Sequence, residues 1–136
     1  MKQAVIKSAN NFKKIFPMML GTILLISLIY SLTPQNIYST IFRNNLIIDP
    51  VIGALIGSIS AGSAMISYIL GGELLSKGVS LLAVTAFLVA WVTVGMIQFP
   101  FEANIFGKKF ALWRNLTAFA LSIVVGIVVT LVLKIF

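Results

Sequence analysis

Apolar positions fall along the chain in four long runs, separated by short polar or basic connections. The first run, 15–33 (IFPMMLGTILLISLIYSLT), contains no charge, and Pro17 stands near its start, where a missing N–H costs a helix little. The third, 79–97 (VSLLAVTAFLVAWVTVGMI), and the fourth, 116–135, which Lys134 closes within snorkelling reach of an interface, are equally apolar. A run of about 20 apolar residues matches a hydrocarbon core of ~30 Å as a helix. The pattern predicts an all-α, polytopic integral membrane protein in a single domain, 1–136.

Shorter amphipathic pieces flank the runs. Val5, Ile6, Ala9 and Phe12 fall near one helical face and Lys2, Lys7 and Lys13 nearer another, so 1–14 reads as a basic interfacial helix or a basic tail. Ile37, Ile41 and Phe42 recur at helical spacing after Pro34, which predicts a second interfacial helix. Asp49-Pro50 then reads as an N-cap followed by a first helical position.

The second run, about 51–75, differs from the rest. Gly53, Gly57 and Ala61 are spaced by four, a face without bulk on which another backbone packs closely. The same run carries Ser58, Ser60, Gly62, Ser63 and Ser67, which weaken a helix and offer hydroxyls to a polar solute. Two readings stay open. One is a tightly packed span; the other is a broken span or a re-entrant helical hairpin, interrupted at 61–63, with those five residues binding substrate. Half-helices meeting near the bilayer midplane are how many transporters expose backbone polarity to a substrate.

Basic residues bear on the choice. If all four runs cross, Lys2, Lys7, Lys13, Lys14, Lys77 and Lys134 share one side and Arg43, Lys108, Lys109 and Arg114 the other. If the second run enters and returns, Lys108, Lys109 and Arg114 join the four N-terminal lysines, opposite Arg43, Lys77 and Lys134. The positive-inside rule favours the second partition and puts the N-terminus in the cytoplasm in either case. The expected location is the plasma membrane, multi-pass.

Composition narrows the function. The chain is 60% hydrophobic and 10% charged, with a net charge of +7. Its basic residues flank apolar runs (Trp113-Arg114 as an interface pair), where they set topology and meet anionic lipid; no polar face is left for nucleic acid. With no Cys and no His, thiolate and imidazole metal sites, Cys nucleophiles and imidazole bases are excluded. The three acids, Asp49, Glu73 and Glu102, are far apart in sequence, so neither an enzyme, a metal site nor a cofactor is expected. Glu73 reads either as an ion-pair partner of Lys77 at i+4 or as a carboxylate at the mouth of a polar pathway. Thr85 and Thr93 either line that pathway or bond back to their own helix.

The run SYILGGELLSKGVS, 67–80, with AFLVAWVTVG, 86–95, and GKKFALWRN, 107–115, resembles predicted permeases related to the organoarsenical efflux permeases. The resemblance extends over most of 50–115 and more loosely into the last run. It implies a half-size member working as a homodimer. Where those relatives carry Gly-Asn-Pro this chain has Gly62-Ser63-Ala64, and in place of thiols Met18, Met19, Met65 and Met96 are weak soft ligands. The expected function is a half-size permease for a small solute; a dimeric small-ion channel and a non-transporting membrane assembly subunit are the alternatives.

Overall fold

The structure, a computed structural model, describes residues 1–60 and 62–136, and their side chains apart from those of Met18, Met19, Thr22, Ile26, Tyr30 and Gln35. Every regular element among the described residues is an α-helix. The expectation of an all-α protein holds. The chain divides into two units, Met1–Pro34 and Gln35–Phe136.

The first unit is one helix, α1 (Lys2–Leu32), which runs without interruption through Pro17. The separate basic segment expected over 1–14 is therefore the N-terminal half of the same rod. Phe12 and Phe16, one turn apart, stack at 5.6 Å and continue the apolar stripe across the expected boundary. Pro17 loses one hydrogen bond, and 15 helical residues precede it, so it does not mark the start of the helix.

The second unit begins with α2 (Gln35–Ile41), the short helix expected after Pro34, followed by α3 (Ile48–Ile59), α4 (Ala64–Ser76), α5 (Leu81–Thr93), α6 (Phe99–Phe106) and α7 (Lys108–Ile135). At 1.5 Å per residue, α3, α4 and α5 rise about 18–20 Å and α7 about 42 Å. Among the described residues searched, α7 alone is both long and apolar enough to cross a membrane. Two boundaries differ from expectation. The run 79–97 ends as a helix at Thr93, and the last helix starts eight residues before Leu116.

α5 is the hub, packed against α3, α4 and α7, while α6 packs on α7. Small residues make this possible. Ala54, Ala86 and Ala90 are fully buried, and a Cβ on Gly53 or Gly57 would collide with the carbonyl oxygens of Ala83 and Phe87 respectively. Backbones then approach to van der Waals contact, which is how helices associate where side-chain bulk would hold them apart. The packing face predicted for Gly53 and Gly57 is therefore present, and it faces α5; Ala61, the third member, lies outside the described residues.

These contacts give the helix directions. Gly53 lies on Ala83 and Gly57 on the stretch from Phe87 to Trp91, so α3 and α5 run parallel. Gly62 lies on Trp91, Gly71 on Val84 and Leu88, and Leu74 on the cluster of Val79, Ala83 and Val84, so α4 runs antiparallel to α5. The backbone of α4 thus returns toward the end at which α3 began. α7 is also antiparallel to α5, with Asn115 at Gly95, Phe119 and Ile123 on the Ala86–Ala90–Val94 cluster, and Gly126 against Leu82.

Candidate functional site

α3 ends at Ile59 with Ser60 in extended conformation, and α4 opens after Ser63, also extended, so the stretch 51–75 is two helices and not one rod. The serines and glycine concentrated there are poor helix formers, and the opposite directions of α3 and α4 demand a turn. Gly62 makes it at φ +153°, a conformation that side-chain-bearing residues rarely adopt. Its carbonyl oxygen accepts a hydrogen bond from Trp91 Nε1 at 3.3 Å. Phe87 meets the Trp91 ring edge-on at 5.4 Å and helps hold it over the turn.

Beside this turn is a cavity of about 260 Å³ lined by Ser60, Gly62, Trp91, Gly95 and Gln98, among others. Its far wall is the segment in which α5 stops. The N–H of Val94 still bonds to Ala90, but that of Gly95 leaves the helix and donates to Asn115 Oδ1 at 2.9 Å. Asn115, 8% exposed, donates through Nδ2 to Ala111 carbonyl at 2.9 Å and approaches Glu102 Oε2 at 3.5 Å. Glu102 in turn pairs with Arg114. A carboxamide held by one helix thus replaces the hydrogen bond that would have continued another. This is why the third apolar run stops short of its predicted end.

Of the residues predicted to bind substrate, Ser60 and Gly62 line the cavity. Ser60 Oγ donates to Ile56 carbonyl at 2.6 Å, leaving its lone pairs as acceptors. Ser63 is exposed at the α4 N-cap position, without a side-chain cap bond. Ser58 and Ser67 are buried inside helix contacts and bond back to Ala54 and Ala64. Thr85 and Thr93 bond back to Leu81 and Val89. Glu73 lies near the other end of α4, about 14 Å along the helix from Ala64, so the structure does not bring it to the cavity. Of the soft ligands, Met18 and Met19 have side chains outside those described; Met65 and Met96 are exposed.

Trp91, Gln98 and Asn115 were not singled out as site residues by sequence. Trp91 stands inside an unbroken apolar run, and nothing local to it signals a partner 29 residues away. Asp49 also differs from its expected role as an N-cap. The N-cap of α3 is Ile47; Asp49 lies inside the helix, its own N–H bonded to Asn45 carbonyl, its carboxylate turned inward and 1% exposed.

Among the described residues, no group of three or more His, Cys, Asp or Glu is placed to hold a metal ion. The cavity therefore offers hydroxyl, carboxamide and backbone groups with an indole face, a set suited to a small polar or amphipathic solute. Comparison with family models, with curated proteins and with solved structures gives no match.

Proposed function

We propose that the chain is a half-size permease of the plasma membrane, N-terminus cytoplasmic, acting as a homodimer and moving a small solute through the site at the α3–α4 turn. The single observation that carries this reading is the pair of short antiparallel helices meeting beside the Trp91 cavity. Each is about two thirds of the ~30 Å hydrocarbon thickness, so a turn between them ends within it. Irregular backbone at that depth is tolerated only where protein covers it or it lines a cavity. Trp91 covers the Gly62 carbonyl and the cavity takes up the rest.

Two further features support the membrane setting. α7 exposes Leu116, Leu121, Val124, Val128 and Leu131, and α1 exposes Leu24, Leu25 and Leu28, apolar area that water would penalise and lipid does not. Within the second unit, Arg43, Lys77 and Lys134 belong to the end where α3 and α5 begin, and Lys108, Lys109 and Arg114 to the other. This is the partition expected of a segment that enters and returns.

The test is osmotic. Proteoliposomes challenged with hyperosmotic glycerol, urea, small amino acids or small organic anions are followed by light scattering. At least one solute should reswell them faster than protein-free vesicles, saturably, and Gly62→Leu should abolish the gain by filling the turn. Reswelling no faster than protein-free vesicles for every solute removes the permease reading.

A further inference from the structure

No described residue lining the cavity at the α3–α4 turn is ionisable. Its polar side chains are the Ser60 hydroxyl and the Gln98 carboxamide, set beside the Trp91 indole and the apolar groups of Val92 and Met96. At this end of the second unit the charges are Glu102, Arg114, Lys108 and Lys109. Glu102 pairs with Arg114, and Asn115 stands between that pair and the cavity wall. Its Oδ1 takes the Gly95 N–H at 2.9 Å while its Nδ2 approaches Glu102 Oε2 at 3.5 Å. Lys108 and Lys109 open α7 about 9 Å or more further along the helix than Asn115. Asp49, Glu73, Lys77 and Lys134 belong to the opposite end of the helices.

The walls nevertheless supply both halves of a hydrogen bond. α5 ends at the cavity, and the Gly95 N–H that would have closed on the Trp91 carbonyl goes to Asn115 instead, so last-turn carbonyls of α5 project from the helix end as acceptors. α4 begins at the cavity with Ala64, and first-turn N–H groups project from its start as donors. The partial charges of these two helix ends are opposite in sign and offset one another. Gln98 carries a donor and an acceptor on one side chain, and its Oε1 lies beside Gly95, 3.1 Å from where a Cβ would stand.

A solute entering this site exchanges water for groups that donate and accept, and meets no counter-charge. An ion that sheds its water without a partner ion is penalised far more than a neutral polar group whose hydrogen bonds are replaced. Size narrows the class further. At about 260 Å³ the cavity falls below the roughly 300–1,000 Å³ of sites for drug-sized ligands.

We propose that the cavity selects small uncharged solutes carrying both donors and acceptors, the class of amides, ureas and polyols, over anions and cations of the same shape. The selection rests on the permease reading for the depth of the cavity in the bilayer; occupancy itself needs no transport.

Acetamide, acetate and acetamidinium are near-isosteres that are neutral, anionic and cationic at neutral pH. Each is titrated at constant ionic strength into the Trp113→Phe protein in nanodiscs of zwitterionic lipid, with Trp91 emission as the readout. Acetamide should give a saturable change, and each ion should need at least about a tenfold higher concentration for half of it. Gln98 is exposed, so charge is introduced there with little effect on packing. Gln98→Glu should turn the order in favour of acetamidinium, and Gln98→Lys in favour of acetate. Either ion binding the Gln98 protein as tightly as acetamide, no saturable change with acetamide, or an order that neither Gln98 variant alters overturns the proposal. Reswelling keeps the two readings apart. Saturable reswelling by an organic anion leaves the permease standing and removes the selection for neutral solutes. Reswelling by no solute removes the permease, and the titration still decides what the cavity holds.

Discussion

Trp91 Nε1 donates to the carbonyl oxygen of Gly62, joining the last turn of α5 to the point where the chain reverses between α3 and α4. The bond closes a loop of 29 residues and roofs the cavity with an indole face. Trp91→Phe removes the donor together with the second ring of the indole, whose edge lies against Gly62. We expect a loss of at least about 0.5–1.5 kcal/mol, the net worth of one such bond, with the lost ring contacts adding to it, read as a lower midpoint in thermal unfolding followed by circular dichroism. The same residue is a reporter: with Trp113→Phe removing the second indole, a solute entering the cavity should quench the remaining fluorescence.

Glycines on α3 and α4 separate close packing from helix propensity. A Cβ on Gly57 meets the Phe87 carbonyl oxygen, which cannot swing aside as a flexible side chain would. Gly57→Ala should cost about 1–3 kcal/mol, toward the upper end because backbone must move. Gly72 is helical and has nothing within 4 Å of its virtual Cβ. Gly72→Ala should be neutral or stabilising, by up to about 1 kcal/mol. Midpoints of detergent-solubilised unfolding check both, and equal effects at the two positions would contradict the helix contact described.

Asn115 makes a third prediction. Its Oδ1 takes the Gly95 N–H and its Nδ2 is committed to Ala111. Asn115→Ala leaves the Gly95 amide without that acceptor and should cost about 1–3 kcal/mol. Arg114→Ala touches a pair whose basic side chain is 39% exposed, and should cost no more than about 1 kcal/mol. Amide hydrogen exchange separates the two variants: Gly95 should exchange faster in Asn115→Ala and be nearly unchanged in Arg114→Ala.

The contrast between these residues shows what was legible along the chain. Gly53 and Gly57 announce a packing face because helical spacing alone puts them together. A break near Gly62 is visible because serines and a glycine interrupt an apolar run, while the direction the chain takes after it is not. The end of α5 is not visible, since the N–H of Gly95 leaves the helix for a carboxamide 20 residues away. The start of α7 is hidden for another reason. Hydropathy registers only the apolar part of a helix, whereas Gly107, at φ 93°, breaks the chain before Lys108 and lets basic residues begin the rod. The inward turn of Asp49 depends on the fold of the loop before it, where local sequence reads the same residue as a cap.

The direction of α4 gives the last prediction. Because α4 runs antiparallel to α5 and α3 parallel to it, Lys77 returns to the end at which α3 begins, while Lys109 lies at the other. In a membrane, the proposed re-entrant reading puts Lys77 and Lys134 on the side opposite the N-terminus and Lys109 on the same side as the N-terminus. If every apolar run crossed instead, Lys77 and Lys134 would share the side of Lys2, and Lys109 would oppose it. The natural chain has no Cys, so single substitutions report cleanly. A membrane-impermeant maleimide applied to right-side-out vesicles should label Lys77→Cys and Lys134→Cys, and should reach Lys2→Cys and Lys109→Cys only after permeabilisation. Labelling of Lys77→Cys together with Lys2→Cys would mean that the segment crosses, which the opposite directions of α3 and α4 do not permit, and the re-entrant reading would fall.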